Sequence, residues 1–235
     1  MSLHKLELCE LSQWSKSGYR DSNSVKYIFA NLSDASYKPT MQDKQAVLIK
    51  SGLNKEYKII PEYTNRDITT FWDTDCKKVI MVVRGTDDKN FVGMKYRDFY
   101  TDLHLAMGQI TKTKRYQESE AMLNRIKNKF GAENIILSGH SLGGRIAGGL
   151  SQKYHYPAII YNQGASPLDF AYNRAENKLT THFSTNSLKN ITIDPLSVSS
   201  MLGQAHHIAV ATGESKIGLP ASIYRNHSLS NFTGV

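Results

Sequence analysis

A chain of 235 residues with 40% hydrophobic and 21% charged side chains is long enough for one core-bearing domain, and this balance excludes a disordered or collagen-like polymer. The formal net charge of +8 draws it towards anionic surfaces, whether phospholipid headgroups or nucleic acid, without choosing between them. No run of about 18 apolar residues offers a membrane-spanning helix, and Met1 to Glu7 lacks the apolar stretch of a secretory signal.

Those features predict a cytoplasmic protein, or one exported without a cleavable signal. Cys9 and Cys76 stand far apart and lack metal-ligand spacing, so two free thiols are expected rather than a disulfide framework or a zinc site. Glycan acceptor patterns begin at Asn31, Asn190, Asn226 and Asn231, and the third adjoins a candidate catalytic residue, which disfavours a glycosylating compartment.

In chain order, residues 1–21 read as a peripheral extension of a single domain spanning 1–235. Ser22 to Tyr37 predicts a helix with Val25, Ile28, Phe29, Leu32 and Ala35 on one side, ended by Lys38-Pro39. Strands are expected at Ala46 to Ile49, Tyr57 to Ile60, Ile68 to Trp72 and Lys78 to Val83, the last apolar enough to be buried on both faces. A basic helix comes next, carrying Lys112, Lys114, Arg115, Arg125, Lys127 and Lys129, with Met122, Ile126 and Phe130 towards the core. It reads as a solvated helix face before it reads as a membrane patch.

Asn134 to Ser138 is the next strand, then a glycine-rich turn, a helix with Leu142, Ile146, Ala147 and Leu150, and a buried strand at Pro157 to Tyr161. Further strands are expected at Leu179 to Phe183, Asn190 to Ile193 and His207 to Ala211. Alternating strands and helices imply an α/β fold, a mostly parallel sheet with helices on both faces.

The strongest local signal is Gly139-His140-Ser141-Leu142-Gly143-Gly144, set between a strand and a helix. A turn tight enough to project a serine needs small neighbours, and the helix after it aims its positive N-terminus at that serine. A serine hydroxyl is a weak nucleophile until a histidine, itself held by a carboxylate, accepts its proton. On this type of scaffold the partners come after the serine in the order acid, then histidine. Asp194, after a predicted strand and before Pro195, is the preferred acid, with Asp169 in reserve. His227, in a loop after the last strand, is the preferred base. His206 or His207 could line the site, and His140 should point away from Ser141 and support the turn. The oxyanion formed on attack needs fixed donors. The backbone N–H of Leu142 is one, and Thr86 in Arg84-Gly85-Thr86-Asp87 offers a second N–H and a hydroxyl.

Val82-Val83-Arg84-Gly85-Thr86-Asp87, Tyr100-Thr101-Asp102-Leu103 and Ile136 to Gly144, with Asp194-Pro195 and His227 downstream, resemble the class 3 lipases, the α/β-hydrolase family of fungal triacylglycerol lipases and their phospholipase A1 relatives. The similarity spans roughly Ser22 to Phe232. It implies Ser141 as nucleophile, Asp194 and His227 as its partners, Thr86 as an oxyanion donor and Asp102 as a brace. Where secreted relatives carry a long apolar lid helix, only Lys89 to Tyr96 is available.

The resulting expectation is a lipolytic carboxylester hydrolase with lipid or another acyl ester as substrate. It needs neither metal nor organic cofactor, makes peripheral contact with an anionic membrane surface and has no nucleic-acid partner. The rivals are an esterase of small soluble esters, a catalytically silent lipase-like binding module, and a basic nucleic-acid-binding domain. The last lacks an aromatic-interleaved basic stripe.

Overall fold

The computed structural model describes residues 23–86, 110–164, 180–184, 207–209 and 228–233. Helix α1 (Asn23–Tyr37) forms because Val25, Phe29 and Leu32 recur on one stripe, and all three are buried. Lys38-Pro39 stops it, since the residue before proline is driven out of the helical region.

The strand expected at Ala46 to Ile49 is instead part of helix α2 (Met41–Lys50). The decisive local signal is the start: the Thr40 side chain accepts a hydrogen bond from the Asp43 N–H at 3.1 Å. Asp43 also places a carboxylate in the first turn. The short Ala-Val-Leu-Ile run then winds into the helix, with only Lys44 and Leu48 buried, four residues apart.

Among the described residues seven strands stand in sequence order across one sheet: β1 (Tyr57–Ile59), β2 (Ile68–Asp73), β3 (Lys78–Val83), β4 (Ile135–His140), β5 (Ala158–Tyr161), β6 (Thr180–Ser184) and β7 (His207–Ala209). β1 to β3 form an antiparallel meander, and β3 to β7 run parallel to one another. The expected strand at Asn190 to Ile193 lies outside the described residues, as do Leu179, Val210, Ala211 and the extension 1–21.

Helix α3 (Lys114–Phe130) connects β3 to β4, and α4 (Leu142–Tyr154) connects β4 to β5. The strands between them alternate across the sheet. Val79, Met81 and Val83 of β3, with Ile135 and Leu137 of β4, join a core with Met122, Leu123 and Ile126 of α3 and Ile146 and Leu150 of α4. Ile80, Val82, Ile136, Ile159 and Tyr161 point the other way, into a core with Val25, Phe29 and Leu32 of α1. The fold is therefore α/β, with a mostly parallel sheet covered by helices on both faces.

α3 is amphipathic as its spacing predicts, and Lys127 and Lys129 in its last turn complement the negative end of the helix. Helix α5 (Ser230–Thr233) docks on the α1 side, where Phe232 meets the Tyr161 ring edge-on at 5.1 Å. Asn31 is buried there and donates from its side chain to the carbonyls of Tyr27 and Thr233, so its glycan acceptor pattern is inaccessible in the folded chain. Cys76 is disulfide-bonded, which corrects the expectation of two free thiols. Separation along the chain says nothing about whether two cysteines meet in space.

Candidate active site

Ser141 sits between the last residue of β4 and the first of α4, at φ 57° and ψ −125°. That backbone region disfavours a side chain, at a cost on the order of 1–3 kcal/mol, and persists only where the surroundings enforce it. Three backbone hydrogen bonds do so. The Ser141 N–H donates to the Tyr161 carbonyl at 3.1 Å, and its own carbonyl accepts from Arg145 at 3.0 Å and Gly164 at 3.1 Å.

The glycines around it leave no room for anything larger. A Cβ on Gly139 would lie 2.5 Å from the carbonyl of Gly143 and 2.7 Å from the nitrogen of Gly144. One on Gly143 would enter the Val83 carbonyl oxygen and stand 2.6 Å from the Arg84 carbonyl carbon. Gly144 sits against Ile160, where a Cβ would be 2.8 Å from Cγ2. These close approaches press the start of α4 onto β4 and the end of β3, so that Ser141 stands on a sharp bend with the first amides of the helix behind it.

The turn after β3 lies against this bend. A Cβ on Gly85 would reach 2.8 Å from the His140 carbonyl oxygen and 3.2 Å from Ser141 Cβ. Thr86, half-buried, is the next residue. Leu142, the other oxyanion candidate, is buried as the first residue of α4.

His140 is engaged away from the serine. Its Nδ1 is 2.8 Å from the Tyr37 hydroxyl, and the two rings meet edge-on at 5.8 Å. The same hydroxyl accepts from the Gly85 N–H at 3.1 Å. Asp67 faces two guanidiniums, Arg84 Nη2 at 3.2 Å and Arg115 Nη2 at 3.4 Å, and Arg115 also donates to the Arg84 carbonyl. Burial pulls the Arg115 pKa down, the Asp67 charge opposes that fall, and the Arg84 charge adds to it. Lys44 is buried beneath this region, donating to the Ala35 and Ser36 carbonyls and the Thr69 hydroxyl. Desolvation first, and then the Arg84 charge, lower its pKa to about 8.

Tyr37, Asp67 and Arg115 were not singled out as site residues by sequence reasoning. The only cue was the position of Tyr37 as the last residue of a helix stopped by proline. Asp194 and His227 lie outside the described residues, as do Asp169, His206, Asp102 and Lys89 to Tyr96. His207 begins β7, and its side chain is not described. His155 caps α4 in the left-handed conformation, φ 58° and ψ 38°, at the end of that helix far from Ser141. His182 lies within β6, opposite Ile160 of β5 and His207 of β7. Among the described residues no cluster of three or more His, Cys, Asp or Glu side chains is arranged to hold a metal ion.

No protein-family model matches the chain, and no curated protein matches it.

Proposed function

We propose that the chain is a serine carboxylester hydrolase of the α/β-hydrolase type, similar to class 3 lipases, cleaving acyl esters of glycerolipids or phospholipids. The observation that carries this reading is the left-handed backbone of Ser141, enforced between glycines that tolerate no Cβ at a strand-to-helix bend. A non-glycine residue kept in that conformation, at the positive end of a helix and beside a second backbone turn, is what an activated hydroxyl requires and what an idle surface serine does not.

In the proposed reaction His227, oriented by Asp194, takes the Ser141 proton as Oγ bonds to the ester carbonyl carbon, and the carbonyl electron pair moves onto oxygen. The N–H groups of Leu142 and Thr86 receive that oxyanion. Collapse of the tetrahedral adduct expels the alcohol, which takes the proton from the imidazolium. Water then repeats the sequence on the acyl-enzyme and releases the carboxylic acid. Support for His227 comes from the segment just after it in the chain: Leu229 and Phe232 are buried against the α1-side core, with Phe232 on Tyr161, whose carbonyl binds the Ser141 N–H.

The lipid part of the proposal rests on the resemblance of the motifs and on the +8 charge, which favours anionic interfaces. Among the described residues no helix is long and apolar enough to cross a membrane. The disulfide at Cys76 favours an oxidising compartment over the cytosol. The test is release of acid or p-nitrophenol from short and long acyl esters, together with fluorophosphonate labelling. Turnover and labelling that both vanish in Ser141→Ala are expected; an unlabelled Ser141 and no turnover at any acyl length would overturn the reading.

A further inference from the structure

We infer that Tyr37 and Arg115 are positioning residues that clamp the Arg84–Gly85 peptide from opposite faces of the sheet and so preset the oxyanion turn beside Ser141. This rests on the hydrolase reading for its consequence, though not for its geometry.

A single peptide unit carries the Arg84 C=O and the Gly85 N–H, and each end is taken by a side chain. The Gly85 N–H donates to the Tyr37 hydroxyl at 3.1 Å. Arg115 Nη2 donates to the Arg84 carbonyl, and Asp67 steadies that guanidinium at 3.4 Å. Tyr37 ends α1, which packs on one face of the sheet, while Arg115 lies in the first turn of α3, which packs on the other. A third link, from the Arg84 N–H to the Asp67 carbonyl at 2.9 Å, ties the preceding peptide to the chain leading into β2. With that plane fixed, little freedom remains before the Thr86 N–H, one peptide further on.

Tyr37 also joins the turn to the serine bend. Its oxygen receives the Gly85 proton at 3.1 Å and lies 2.8 Å from His140 Nδ1. His140 is the residue immediately before Ser141. One hydroxyl therefore sets the spacing between the two elements that must converge on a developing oxyanion. Gly85 is required by the same contact, since a Cβ there would enter the Tyr37 hydroxyl. Donors fixed before reaction avoid reorganisation in the transition state, which is where an oxyanion hole gains its effect.

The experiment compares wild type with Tyr37→Phe, which keeps the ring, and with Arg115→Lys, which keeps the charge. Amide exchange at Gly85 and the ring nitrogen shifts of His140 are read by NMR beside kcat, KM and the affinity for a trifluoromethyl ketone that forms a tetrahedral adduct. In Tyr37→Phe the Gly85 amide should exchange about tenfold faster or more. The kcat should drop roughly 10- to 100-fold with KM little changed, and ketone affinity should fall by a similar factor. Arg115→Lys should act in the same direction more weakly and serves if Tyr37→Phe does not fold. An unchanged Gly85 amide in both variants would overturn the clamp. A freed amide with wild-type kcat and ketone affinity would overturn its positioning role. Wild type that neither turns over esters nor labels at Ser141 would instead refute the hydrolase, and Gly85 exchange would still decide the clamp.

Discussion

The two ends of the parallel sheet are built by different means. Where β3 and β4 finish, backbone turns are held by side chains brought from afar: Tyr37 on Gly85, Arg115 on Arg84, and a serine forced into a glycine-like conformation. Where β4 begins, the chain makes an ordinary helix exit. Gly131 takes φ 84° after α3, a short 3-10 turn covers Ala132–Asn134, and the carbonyl of Glu133 accepts a hydrogen bond from the half-buried Lys78. Positive φ occurs at both ends. At the second it falls on Gly131, Lys77 and His155, the last in the left-handed helical well that side chains tolerate. At the first it falls on Asn162 and on Ser141, whose ψ of −125° lies outside that well. Ser141 is thus held outside the backbone wells a side chain favours, at the end of the sheet where chemistry is proposed.

Substitutions at the two ends can break that contrast. The largest effect is expected for Ser141→Gly, which should abolish ester turnover, by about 10⁴-fold or more, while stabilising the fold by about 1 kcal/mol in denaturant titration through relief of its positive φ. Loss of stability instead would mean that the backbone there is not strained. Next comes a matched pair. Gly143→Ala should cost about 3 kcal/mol or more, because its methyl group would enter the backbone at Val83 and Arg84, which cannot retreat. Gly131→Ala meets only the flexible Glu133 side chain and should cost about 1 kcal/mol with activity intact. Equal costs from thermal unfolding would erase the distinction between the ends.

The smallest effect concerns pH. Lys44 has a folded pKa of about 8 against an ordinary lysine value of 10.5. Above pH 8 the folded state gives up its proton before the unfolded chain does. The unfolded chain then binds more protons, so this group adds stability as pH rises from about 8 towards 10.5 and withdraws it as pH falls back. Melting curves of wild type and Lys44→Met across that window should diverge, with the wild type gaining relative to the variant as pH rises; parallel curves would show that the ammonium is not desolvated.

Much of this arrangement was legible in the sequence, for reasons that differ by element. β3, β4 and β5 announce themselves because buried parallel strands are continuously apolar, and the bend at Ser141 because small residues cluster on both sides of it. α2 was misread since a four-residue apolar run fits either period, and the threonine cap that decides it lies six residues upstream of Ala46. The clamp was illegible: Tyr37 meets Gly85 across 48 positions and His140 across 103, and no local pattern encodes such a contact. Cys76 failed for the same reason. Asp194 and His227 were chosen by chain order and strand context, and both lie outside the described residues.

The direction of α3 has a consequence for how the molecule could rest on a lipid film. Its first turn touches Arg84 at the serine's end, and the chain leaving its last turn touches Lys78 at the other, so Lys127 and Lys129 lie about 20 Å away down the barrel of the helix. Ammonium groups so placed would moor the protein upside down, with Ser141 turned to the water. If the proposed lipid ester is the substrate, presenting it to Ser141 calls for contact through the opposite rim, where Lys112 and Lys114 stand exposed.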